Sequence, residues 1–163
     1  MSNNEERVRA PIVQYRLDCY DKNGKKKWTE NFRNTVMTVG KNYLLNNIFQ
    51  LGTYTQAFYI GIMGTGTIGA PDTMASHNWS ETTAYSGTNR PAVSFSAASG
   101  GTSTCTANSY SMTGTYTANG AFITTNQPVS GTTGTLYSAG TFATQRTGGN
   151  GDTINVTPTL ILS

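Results

Sequence analysis

The sequence predicts an all-β protein: a jelly-roll-like β-sandwich with one short helix and an N-terminal arm plus hairpin. Three observations predict it. From Pro91 onward, short apolar or alternating runs recur between turn clusters at Gly100-Gly101, Asn119-Gly120, Ser130-Gly131 and Gly148 to Gly151. Regularly spaced short strands parted by such turns are the pattern of a sandwich or barrel. Threonine is abundant, as suits pleated, half-exposed surfaces. Only one segment spaces its apolar residues at the period of a helix. At 163 residues the chain can bury a core without disulfide or metal staples, and the strand count comes to about eight or nine.

Residues 1–10 are polar and read as an arm. After Pro11, Val13, Tyr15, Leu17 and Cys19 alternate with Gln14, Arg16 and Asp18, a half-buried strand. Asn23-Gly24 is a strong hairpin signal. The return strand, with Trp28, Glu30 and Phe32 on alternate positions, runs to Val36, so residues 11–36 form a charged hairpin. Lys25, Lys26 and Lys27 read as solvated lysines at its tip. Residues 38–50 form the helix, with Tyr43, Leu44, Ile48 and Leu51 on one stripe. Thr38 suits its N-cap and Gly52 its C-cap, while Gly40 in the first turn weakens it. Such a stripe covers an open end or face of a sheet. Residues 57–163 supply the short strands of a single sandwich domain: 57–63, then 93–97, 105–107, 110–112, 116, 121–123, 136–142 and 154–162, with a long polar loop over 64–91. Pro158 predicts an edge position or a bulge for the last strand.

Charge is distributed very unevenly. Residues 42–163 hold five formal charges, Asp72, Glu81, Arg90, Arg146 and Asp152, while the first 41 residues hold nine Lys/Arg and five Asp/Glu. An ordinary soluble domain is about one quarter charged, and a surface so poor in charge tends to associate. The body is therefore expected to work packed against other subunits. The net charge of +3 arises in the N-terminal segment and makes no basic stripe, so nucleic acid is not an expected partner. No run approaches the ~18 apolar residues of a membrane span. The chain opens Met-Ser-Asn-Asn-Glu-Glu, without the apolar core of a secretion signal. Cys19 and Cys105, the two cysteines, are expected as free thiols of a protein made in the cytoplasm, although a disulfide between them stays open at this stage.

No motif carries catalysis. Gly64-Thr65-Gly66-Thr67-Ile68-Gly69 has the spelling of a dinucleotide loop, but no helix pattern opens after it, and it reads as a flexible loop. His77 is the sole histidine; Asp72, His77 and Glu81 lie close in sequence, yet nothing in their spacing fixes them on one face, and no nucleophile elbow accompanies them. Gly148-Gly149-Asn150-Gly151-Asp152 is out of register with calcium-binding nonapeptides and does not repeat. No enzyme activity, cofactor or metal is expected. The nine tyrosines are expected mainly as core or interface anchors. An aromatic glycan platform around Trp79 and Tyr85 is the alternative.

Several stretches resemble small structural proteins of tailed bacteriophages: Thr38-Val39-Gly40-Lys41-Asn42-Tyr43-Leu44-Leu45, Phe58-Tyr59-Ile60-Gly61, Trp79-Ser80-Glu81-Thr82-Thr83-Ala84-Tyr85, Asn89-Arg90-Pro91-Ala92-Val93, Gly120-Ala121-Phe122, residues 134–142 and residues 151–157. The resemblance spans residues 36–157 and rests on the order of these patterns. It implies a capsid decoration (cement) protein in the virion. Such a protein is homo-oligomeric (a dimer or trimer), binds the major capsid protein on the outer surface of the head and stabilises contacts between capsomers. The alternative it leaves is a tail or fibre component that binds a host glycan. On the cement reading the arm and hairpin make the capsid or neighbour contact. Arg7, Arg9 and Arg16 would face acidic patches and Trp28 and Phe32 would be anchors, though either ring may belong to the core.

Overall fold

The computed structural model describes residues 11–49 and 57–162, which form eleven strands and one helix. The expected all-β sandwich with a single short helix is the observed architecture, and all strand pairs are antiparallel. The expected arm, with Arg7 and Arg9, and the expected C-cap at Gly52 lie outside the described residues.

The first sheet, here the hairpin sheet, has β1 (Ile12–Tyr20) paired with β2 (Lys26–Arg33) on one side and β11 (Thr153–Ile161) on the other. Beyond β11 lie β7 (Thr102–Thr104) and β8 (Asn108–Ser111), end to end. In the second sheet β3 (Thr35–Val36), β10 (Leu136–Gly148), β9 (Tyr116–Thr124) and β4 (Phe58–Thr67) run in that order, with β5 (Asn78–Glu81) and β6 (Ala92–Val93) end to end on the far edge of β4.

The alternation in β1 does what its period dictates. Val13, Tyr15, Leu17 and Cys19 are fully buried against the second sheet, joined by Ile154 and Val156 of β11 and Ile60, Ile62, Ala118, Ala121 and Ile123 opposite. Two tyrosine hydroxyls cross between the sheets: Tyr15 bonds Ser138 Oγ at 2.7 Å and Tyr110 donates to the Ile60 carbonyl at 2.6 Å. A buried hydroxyl without a partner would be costly, and these two are satisfied within the sandwich.

The second sheet is buried on both faces. Its outer side carries a separate apolar cluster of Met63, Phe122, Leu136 and Ala139, covered by Met37, Met74 and Trp79. This explains why β4, β9 and β10 read as continuous apolar runs rather than alternations. The cover comes from the start of the helix α1 (Thr38–Phe49) and from residues 68–81. Leu44 of α1 packs on the main core and Val39 on the outer cluster, so the helix does close a sheet face and end.

Several sequence expectations are corrected. The hairpin's return strand does not continue to Val36. It ends at Arg33, and Thr35–Val36 crosses to the other sheet to pair with Ser138 and Ala139. The 64–91 segment is not one loop, since β4 extends through the glycine-rich Gly64-Thr65-Gly66-Thr67 and β5 follows. Asn119-Gly120 is no turn: β9 runs straight through it. A Cβ on Gly120 would strike the Gly140 carbonyl, so glycine is required by the close approach of β9 and β10. The strand expected at 105–107 is instead the gap between β7 and β8, and the one at 93–97 is only Ala92–Val93.

That gap also resolves Pro158. β11 lies inside its sheet, neither at an edge nor bulged. The Pro158 carbonyl faces the gap, where it accepts from the Cys105 amide at 2.9 Å. In an antiparallel ladder a residue's N–H and C=O point to the same side, so the missing N–H falls in that gap and no bond to β1 is lost. Cys19 and Cys105 are both buried and free. Cys19 stands opposite Ile154 while Cys105 bonds Pro158. Four residues of strand separate those two positions, about 13 Å, too far for a disulfide.

Candidate functional site

Among the described residues the polar chemistry converges at three places: a recess beside the outer cluster of the second sheet, a buried cluster around Asp152, and the outer face of the hairpin sheet.

The recess has a volume of about 180 Å³ and is lined by Met74, His77, Trp79, Glu81, Arg90 and Ser130, among others. Arg90 is its buried base. Nε and Nη2 donate to the two Glu81 oxygens at 2.8 and 2.9 Å, Nη1 to the Asn126 carbonyl and side-chain oxygen at 2.8 and 3.0 Å, and Nη2 also to the Gly131 carbonyl at 3.3 Å. All five guanidinium donors are thus used. The guanidinium also lies over the Phe122 ring at 5.2 Å. Glu81 in turn accepts from the Ser130 amide at 2.7 Å, and Ser130 holds a left-handed φ of 58° there. The pair ties the β9–β10 loop and β5 onto the outer cluster.

The remaining side chains are closed off. His77 stacks on Trp79 with ring centroids 3.8 Å apart, and its Nδ1 and the Trp79 Nε1 are shut from solvent without partners. His77 makes no hydrogen bond among the described residues, so no base–orienter relay runs through it. Asp72 accepts instead from the Gly69 amide, so Asp72, His77 and Glu81 do not converge. Among the described residues no group of three or more His, Cys, Asp or Glu side chains is placed to hold a metal ion. A separate buried cluster surrounds Asp152, which accepts from Lys27 Nζ at 2.6 Å, Tyr116 Oη at 3.0 Å and the Gly149 amide at 3.2 Å. Burial pushes its carboxyl up, but the bonds from Lys27, Gly149 and Tyr116 outweigh that and hold it below the ordinary range. Burial also raises the Cys19 thiol beside Tyr116.

Among the described residues, nothing packs over the outer face of the hairpin sheet. Register places Gln14, Arg16 and Asp18 of β1 beside Arg33, Asn31 and Thr29 of β2 and Thr159, Thr157 and Asn155 of β11. Thr104 continues the row from Thr159, and Ile12 and Ile161 oppose each other at one end. Arg16 forks onto Asp18 through Nε and Nη2 at 2.7 and 3.1 Å, and Lys26 reaches the same carboxylate at 3.1 Å. The bonds from Arg16, with those from Thr29 and Lys26, hold the Asp18 carboxyl far below the ordinary range despite partial burial.

The structure separates the sequence-predicted site residues. Arg16 is on this outer face, 52 % exposed. Trp28 and Phe32 are on the opposite, inner face: Phe32 stacks on Tyr15 at 5.2 Å and both rings meet Phe142 edge-on. Both are partly buried and pack against the core, the alternative left for them by the sequence. Trp79 and Tyr85 are each only 6 % exposed and belong to different clusters, so they form no shared platform. The lysines of the tip are exposed as expected, and two of them, Lys26 and Lys27, are also in ion pairs. Sequence reasoning missed the Arg90–Glu81 pair. The available signal was a lone base and a lone acid nine positions apart in an otherwise neutral stretch. Compared with known proteins, the chain matches no family model, and no curated protein is significantly similar to it.

Proposed function

We propose that this chain is a non-enzymatic structural subunit of a phage particle, a decoration protein that binds the outside of the head and stabilises contacts between capsomers. One observation carries the reading: the body offers almost no free charge. Of the five charges in residues 42–163, Arg90 and Glu81 are buried together, Arg146 is paired with Glu30, Asp152 is paired with Lys27, and Asp72 accepts a backbone bond. The surface left to solvent is even poorer in charge than the composition implies. Broad, weakly charged, hydroxyl-rich surfaces suit close contact with neighbouring subunits repeated by symmetry. Head decoration specifically comes from the order of sequence patterns described above. Each contact made across a capsomer boundary lowers the free energy of the closed shell, which is the mechanical work assigned here.

Quantitative mass spectrometry of intact particles tests this. A decoration protein is present in a copy number comparable to that of the capsid subunit. A count of only a few copies per particle, or none, rejects the assignment, the former in favour of a tail component. Within the same reading, deleting residues 1–10 weakens attachment to undecorated heads while the melting profile of the sandwich is retained. Undiminished attachment removes the arm from the contact.

A further inference from the structure

The two sheets differ in what covers them. The second sheet's outer face is sealed by α1 and residues 68–81 of the same chain. Among the described residues nothing covers the hairpin sheet's outer face, and Gln14, Arg16, Asn31, Arg33 and Thr104 on it are all exposed. The geometry points to this face, from β2 across β1 and β11 to β7, as a docking surface for a flat, carboxylate-bearing protein face. Given the decoration reading, on which this inference rests, that partner is the outer surface of the capsid shell.

Three features argue for this occupant. The first is shape. β1, β2 and β11, eight or nine residues long, with β7 and β8 end to end beyond them, give a face of roughly 19 by 30 Å, about 570 Å² and at the lower end of what one partner contributes to a specific interface. The second is chemistry: the plane is made of threonine, asparagine and glutamine, with Ile12 and Ile161 as an apolar spot at one end. Short polar side chains allow close approach of another backbone without burying fixed charge.

The third is charge. The plane carries Arg16, Lys26 and Arg33, and its one carboxylate, Asp18, already serves both Arg16 and Lys26. Arg33 has no ion pair among the described residues. The surplus is positive and lies toward the β2 edge. A second copy of the chain stacked on this plane would set like charges against each other. A partner with acidic groups facing Arg16 and Arg33 would complete them.

The test uses full-length protein and heads assembled without it. Arg33→Glu reverses a charge at an exposed position, and Arg33→Glu/Asn31→Glu adds a further negative charge beside it. Thr157→Trp obstructs the centre of the plane. Lys41→Glu, an equal charge change at an exposed site on α1, is the control. The expected result is about tenfold or greater loss of affinity for each face variant, no change for the control, unchanged melting for all, and wild-type affinity that falls with added salt. Wild-type binding by all the face variants overturns the surface while leaving head decoration standing. Loss with Thr157→Trp but not with the charge reversals overturns the acidic occupant. Failure of the wild-type protein to bind heads overturns the decoration reading itself, and the inference with it.

Discussion

A single arginine shows how this chain uses its scarce charge. Arg90 has all five donors occupied and a ring beneath it, and its side chain is buried with that of Glu81. Truncation leaves Glu81 as an uncompensated buried carboxylate and frees the Asn126 and Gly131 carbonyls. Arg90→Ala is expected to cost about 3–5 kcal/mol, the range for a broken buried pair. Arg90→Lys does not restore it, because one ammonium cannot supply a planar fork to Glu81 and two further bonds to the 126–131 loop. Urea denaturation of the two variants checks both statements. Arg90→Lys at wild-type stability would show that charge alone, not the guanidinium geometry, holds the loop. The same residue marks a limit of the sequence. Glu81 and Arg90 were legible as isolated charges, but nothing local says that the chain between them folds back to bring them together.

Among elements, legibility followed the range of the forces that make them. The β1–β2 hairpin was readable because its alternation and its Asn-Gly turn are local. The helix was readable from spacing, although its glycine counted against it. Gly40 is now explained: its Cα passes so close to the Tyr137 backbone that a Cβ would strike that carbonyl. Helix propensity favours alanine over glycine by about 1 kcal/mol, yet Gly40→Ala is expected to lower the melting temperature, because the backbone of β10 cannot move aside cheaply. A thermal melt decides the sign, and a stabilised Gly40→Ala would mean that α1 can shift on the sheet. What the sequence did not reveal were the features fixed by distant partners. The switch of Thr35–Val36 into the second sheet, the strand through Asn119-Gly120 and the central place of Pro158 each depend on a neighbour far away in the chain. The same holds for the site residues. Alternation alone places Arg16 on a solvent face, but Trp28 and Phe32 share the opposite parity, and contacts with Phe142 across the sandwich, and for Phe32 with Tyr15, draw them against the core.

For the molecule as a whole, two ion pairs act as ties between residues more than a hundred positions apart in the chain. Lys27–Asp152 joins the first hairpin to the turn before β11, and Glu30–Arg146 joins the free edges of the two sheets. Asp18 and Asp152 both titrate below the ordinary carboxylate range in the folded state. A carboxyl held down in this way adds stability that is fully present above its unfolded pKa, about 3.9. That stability is lost as the pH falls from there toward the folded value, because the unfolded chain then binds protons that the folded one refuses. Lys27 is shifted upward, so its share persists through neutral pH and fades only in strong alkali. The expected profile is therefore flat from neutrality to about pH 4 and falling below it. In Asp152→Asn the neutral plateau drops and the acid decline becomes shallower, since the pair with Lys27 is gone at every pH. Melting temperatures measured across that range for both proteins carry the decision. An acid decline equally steep in the variant would mean that Asp18, and not the tie from the hairpin to the turn before β11, governs how this sandwich fails in acid.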